Sequence, residues 1–154
     1  MAERLPQPPP PPGPAARPRR LLALDPGAVR TGVAVSDELG LFAHPRAAIV
    51  VDARTSLVEA IARRVAEEGA DEVVVGVPIT LAGGDSRQTT TARALITRLR
   101  VRLHVPVTGW DERLSTQEAS RAGHRGARRD GTLDSAAAAI LLQAVLDRRR
   151  TPDP

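Results

Sequence analysis

Leu21-Leu22-Ala23-Leu24-Asp25-Pro26-Gly27, then after Ala28-Val29-Arg30 the run Thr31-Gly32-Val33-Ala34-Val35-Ser36-Asp37, is the stretch on which the fold turns. The first four residues are an apolar run of strand length. Pro26 then fixes φ and Gly27 accepts positive φ, which together close a turn. Gly32 opens a second β-type run that ends at Ser36-Asp37. The product is a hairpin with the Asp25 carboxylate at its base. Asp is common in turns, where its side chain bonds nearby backbone, so Asp25 alone reads either as a turn former or as a holder of phosphate or metal. The choice depends on whether other carboxylates converge on it.

Working outward, Ala47 to Val51 reads as a third strand and completes an antiparallel meander. Leu57, Ile61, Val65 and Ala66 recur at helical spacing, with Ser56 or Thr55 as cap and Gly69 as stop. Val73-Val74-Val75-Gly76-Val77 is wholly apolar, as in a strand buried on both faces, and Pro78 ends it. A second helix follows with Ala92, Leu95, Ile96 and Leu99 as its stripe. Val105 to Trp110 is a fifth strand that delivers Asp111-Glu112-Arg113. Ser115 and Glu118 have capping-box spacing for a further helix. A Gly/Arg loop from Gly123 to Gly131 precedes a last helix over Leu133 to Arg148, with Ala137, Ile140, Leu141, Ala144 and Val145 expected to face the core. A meander followed by alternating helix and strand predicts an α/β fold, a mixed sheet of three antiparallel strands plus two more, flanked by helices.

The 154 residues suit one domain, placed at 21–150. Residues 1–20, with Pro8 to Pro12, lack apolar periodicity and read as a disordered Pro/Arg-rich tail. There is no Cys, which excludes disulfides, thiolate zinc sites and thiol nucleophiles. Neither an export signal nor a membrane-spanning run is visible, so a cytoplasmic protein is expected. The net charge is +4, and all 22 basic residues are Arg, each able to grip a phosphate bidentately. Phe42 and Trp110 are the only aromatic residues, too few for base-stacking platforms. A nucleic-acid partner would therefore be held by its phosphates and shape.

In an open sheet the functional crevice lies at the carboxyl ends of strands. Asp25 ends the first strand, Asp111-Glu112 end the fifth, and Asp134 opens the last helix, where a negative charge also suits the helix dipole. Duller roles exist for each: Glu112 as a partner of Arg113, Asp134 as a cap. Like charges brought to one rim are costly without a cation. Oxygen donors, with His44, His104 and His124 isolated, favour Mg²⁺ or Mn²⁺. Such sites commonly hold two cations about 4 Å apart and hydrolyse phosphodiesters.

Leu24-Asp25-Pro26-Gly27, Arg30 to Asp37, Val75-Gly76-Val77-Pro78, Asp111-Glu112-Arg113-Leu114-Ser115-Thr116 and Leu133-Asp134-Ser135-Ala136-Ala137-Ala138 together resemble the bacterial YqgF (RuvX) family. The resemblance spans about Leu21 to Arg148, and Asp-Glu-Arg-Leu-Ser-Thr is its most specific run. It implies an RNase H-like fold, catalytic and metal-binding roles for Asp25, Glu112 and Asp134, and nuclease activity in processing the 5′ end of pre-16S rRNA. The alternatives it leaves are a Holliday junction resolvase acting on branched DNA and a non-catalytic rRNA-binding assembly module. An actin-like phosphotransferase shares the opening hairpin but needs a second related half, for which this chain is too short. Arg113, Arg125, Arg128 and Arg129 are the expected phosphate-holding residues, with Arg30 a weaker candidate. Gly27 and Gly76 are expected to let backbone approach substrate or to pack tightly.

Overall fold

The computed structural model describes residues 19–80, 82–114 and 135–150. Five strands form one sheet: β1 (Leu21–Pro26), β2 (Thr31–Ser36), β3 (Ala43–Ile49), β4 (Glu72–Val77) and β5 (Val107–Asp111). Their order is β3-β2-β1-β4-β5. β1 and β2 pair antiparallel, as do β2 and β3, whereas β4 lies parallel to both β1 and β5. The antiparallel meander plus two further strands is the sheet that the hydrophobic pattern predicts, and those two strands run parallel to β1 and to each other. The helix expected from Ser115 and the Gly123–Gly131 loop lie outside the described residues.

Alternation along the strands sorts side chains onto two faces. Leu22, Leu24, Val33, Val35, Val73 and Val75 pack with α1 (Leu57–Glu68) and α2 (Arg87–Arg102) on one side. Leu21, Ala23, Ala34 and Val74 pack with α3 (Ala136–Arg150) on the other. Residues two apart share a face, so Asp25 follows Leu21 and Ala23 onto the α3 side, and Gly76 follows Val74.

Local chemistry sets the helix ends. Ser56 caps α1 by accepting the Glu59 N–H, and Gly69 closes it in the left-handed region at φ 61°. Ser86 and Thr89 form a reciprocal capping box on α2, and the Thr89 hydroxyl also donates to the Pro78 carbonyl, tying the helix start to the end of β4.

Three placements differ from expectation. β3 begins at Ala43 rather than Ala47, and Val50 and Val51 lie beyond it, exposed. It is an edge strand, so its mostly exposed His44-Pro45-Arg46 gives no apolar signal and Pro45 is tolerated there. β5 likewise starts two residues late, at Val107. On α3 the buried residues are Ala138, Leu141, Leu142, Ala144, Val145 and Leu146; Ala137 is exposed and Ile140 half-buried. The run from Ala136 to Leu142 is unbroken apolar sequence, so periodicity cannot fix which stripe turns inward.

α3 is fastened at both ends. Near its start, the buried Ser135 hydroxyl accepts the Val33 N–H at 2.9 Å, where the β2–β3 register shifts between Thr31 and Val33. Near its finish, Arg149 donates to both carboxylate oxygens of the buried Glu72, at 2.9 and 2.8 Å. The helix therefore runs from the carboxyl end of β1 to the opening of β4. No described helix is long and apolar enough to cross a membrane.

Candidate active site

The turn after β1 is closed by the Gly27 N–H donating to the Arg30 carbonyl at 2.9 Å. A Cβ on Gly27 would lie 2.6 Å from that oxygen, so the glycine serves the turn itself. Asp25, opposite Gly32 in the β1–β2 register, is half-buried at this end of the sheet.

Two strands away, β5 brings in the second acid. Its pairing with β4 runs to Val77 opposite Asp111, and the Glu112 N–H extends the ladder by donating to the Val77 carbonyl at 3.1 Å. Between Asp25 and Glu112 lies β4, whose residue on this face is Gly76. A Cβ there would lie 2.6 Å from Glu112 Oε1 and 2.6 Å from Leu141 Cδ1. The missing side chain thus leaves the path along which the Glu112 carboxyl reaches across β4 toward β1.

The carboxyl completes that reach. Burial, a hydrogen bond with the Asp25 side chain, and the charges of Asp25 and Asp111 push the Glu112 carboxyl up to about 8. At neutral pH the Glu112 carboxyl therefore keeps its proton, in a hydrogen bond with the Asp25 side chain. Two carboxyls brought together, with a proton taking the place of a counter-charge, form an oxygen donor set suited to a hard divalent cation. No cluster of three or more His, Cys, Asp or Glu with metal-binding geometry occurs among the described residues. Asp134 lies outside them, as do Arg125, Arg128 and Arg129. Ser135, the residue after Asp134, is fixed to β2 beside Gly32.

Arg113 is placed at the same end, with its guanidinium on Asp111. That contact holds the Asp111 carboxyl below its ordinary range. Two site features were missed in the sequence: the Asp111–Arg113 contact and the Ser135 anchor. Both depend on side chains meeting across a turn or across distant chain, for which a single sequence carries no periodic signal.

The family model described as "RuvX: Holliday junction resolvase" matches residues 19–148. The chain belongs to the RuvX family. A RuvX relative in Mesorhizobium japonicum, named "Putative pre-16S rRNA nuclease", is 38% identical over 140 residues, covering 88% of this chain and 84% of its own. One of the same name in Syntrophus aciditrophicus is 37% identical over 132 residues, covering 83% and 88%. In three dimensions the chain resembles Thermus thermophilus RuvC, solved with a Holliday junction substrate, at a TM-score of 0.57 and 17% identity over 88% of this chain and 99% of that one. This likeness gives the RuvX chain its RNase H-like fold. The family description and the relatives' names both denote nucleases, so the class of the chain is that of a hydrolase of phosphodiester bonds.

Proposed function

We propose that this protein is a divalent-metal-dependent nuclease that acts on the 5′ end of pre-16S rRNA. The observation that carries the reading is the Asp25–Glu112 pair, two carboxyls from the ends of β1 and β5 that meet across Gly76 in a hydrogen bond. Asp25, Glu112 and Asp134 would hold Mg²⁺ or Mn²⁺, the third acid being the residue that precedes Ser135 in the sequence. When bound, the cation supplies positive charge that eases deprotonation of an attacking water and stabilises the leaving oxygen of the phosphodiester. The chain's own part is to orient the two carboxyls, to release the Glu112 proton when the cation arrives, and to hold the substrate. Arg125, Arg128 and Arg129 are proposed to grip its phosphates, in keeping with a basic chain poor in aromatic rings. An RNA substrate is favoured because the relatives bearing the rRNA name are 37–38% identical over most of this chain, whereas the junction-bound RuvC is 17% identical and speaks for fold alone.

The test is a cleavage assay comparing pre-16S rRNA with a four-way DNA junction, using wild type and Asp25→Asn, with Mg²⁺ or Mn²⁺. Wild type should cut the RNA and the variant should not, while both retain the same circular dichroism. Paired cuts in the junction by a dimer, the symmetry such a substrate requires, would favour the resolvase reading. RNA binding without any metal-dependent product would favour the assembly module.

A further inference from the structure

Arg113 closes a short loop onto Asp111. Its N–H donates to Asp111 Oδ1 at 2.9 Å, and its Nε reaches Oδ1 and Oδ2 at 3.1 and 3.0 Å. Nη2 adds a contact to Oδ2 at 2.6 Å. Backbone and guanidinium therefore grip one carboxylate from the far side of a single intervening residue, Glu112. That residue is held from its other side by the Glu112 N–H on the Val77 carbonyl. With its neighbours tied together and its own amide on β4, the Glu112 backbone has little freedom left. Its carboxyl lies over Gly76 and is hydrogen-bonded to Asp25.

We infer that Asp111 and Arg113 form a clamp that positions Glu112 for the divalent cation, so that Arg113 serves the metal site rather than a substrate phosphate. This rests on Asp25 and Glu112 being metal ligands. The chemistry of the contact suits the role. A guanidinium offers several donors in a fixed fork, which an ammonium cannot replace. An exposed ion pair contributes little to global stability, so its consequence should be local. Groups behind metal ligands typically change metal affinity about 10- to 100-fold when removed.

The test uses the full chain free of nucleic acid, as wild type, Asp111→Asn, Arg113→Met, Arg113→Lys and the Asp111→Asn/Arg113→Met double variant. Mn²⁺ affinity is measured by calorimetry, and exchange of the Glu112 amide by NMR. Each single variant, Arg113→Lys included, should bind Mn²⁺ about 10-fold or more weakly. Glu112 should exchange faster in each, with the metal-free melting temperature nearly unchanged. The double variant should be no worse than the worse single one, because both substitutions break the same contact. The inference is overturned if Arg113→Met keeps wild-type Mn²⁺ affinity and Glu112 protection while losing RNA affinity and about one unit of its salt slope, the behaviour of a phosphate contact. Additive losses in the double variant would overturn it equally. Should wild type fail to bind Mn²⁺, the metal reading falls and with it the proposed role; unchanged Glu112 exchange in Arg113→Met would further show that no clamp exists.

Discussion

The Glu112 carboxyl occupies the space that a side chain on Gly76 would take: a Cβ there would lie 2.6 Å from Glu112 Oε1. The same Cβ would lie 2.6 Å from Leu141 Cδ1, so α3 also rests on this bare patch of β4. Gly76→Ala must move the carboxyl, the helix or both. The expected outcome is a stability loss of about 1–3 kcal/mol in urea titration, from overpacking. Mn²⁺ affinity and RNA cleavage should fall by about 10-fold or more, since a displaced ligand loses more than its packing. A variant with wild-type metal affinity would show that Glu112 does not need the space.

The Glu112 proton gives the metal-free protein a pH signature. The Glu112 carboxyl rises from 4.5 in the unfolded chain to about 8 in the fold, with burial the largest cause and the hydrogen bond and charge of Asp25 next. Folding thus binds the proton more tightly. The stability from this group is full below about pH 4.5 and is lost as pH rises through about 8. Glu112→Gln keeps the shape without the proton, and should flatten the stability-versus-pH curve between those limits in chemical denaturation.

Cation binding should displace the same proton. At neutral pH, Mn²⁺ binding to wild type is expected to release up to one proton, and its affinity should increase with pH until the Glu112 carboxyl is ionised. Calorimetry in buffers of different ionisation enthalpy measures the count. A value that is the same in wild type and Glu112→Gln would place the binding elsewhere.

The sequence carried the sheet and both visible acids because each rests on a local signal. Apolar runs marked β1, β2 and β4, and strand ends marked Asp25 and Glu112. The start of β3 is not legible because an exposed edge strand has no need of apolar residues; on α3 Leu141, Ala144 and Val145 face the core as expected, whereas Ala137 and Ile140 do not, because Ala136 to Leu142 is apolar all round. What no local pattern could give is the relation across strands. That Asp25 and Glu112 meet in a hydrogen bond depends on β4 lying between them and on Gly76 being the residue crossed.

At the opposite end of the sheet from the acids, Glu72 is 4% exposed and is held by two donors of Arg149, with Thr108 Oγ1 at 3.5 Å. The hydrogen bonds from Arg149 hold its carboxyl below the ordinary range. Its stabilising contribution is therefore present above the unfolded value of 4.5 and is lost as pH falls through the lower folded value. Arg149→Ala leaves a buried carboxylate without its main partner. Because the arginine itself is half-exposed, the cost should be about 1–3 kcal/mol at pH 7 rather than the full penalty of a buried pair, and should shrink as pH falls below 4.5 through the lower folded value. Denaturation at both pH values checks it, and Mn²⁺ affinity should stay near wild type, since the bond is remote from the acids.

Ser135 makes the complementary case at the site end. Its side chain is fully buried and accepts the Val33 N–H at 2.9 Å, one residue from the Gly32 that faces Asp25. Ser135→Ala leaves that backbone donor buried without the hydroxyl, which should cost about 1–3 kcal/mol. Unlike Arg149→Ala, it should also weaken Mn²⁺ binding, because it frees the start of α3, the next described segment after the proposed ligand Asp134 in the chain. Ser135→Thr keeps an acceptor at the same position and should recover more of the metal affinity than of the stability, its extra methyl meeting a packed interior. Equal recovery of both, or unaltered metal binding in Ser135→Ala, would mean that the anchor serves the fold alone.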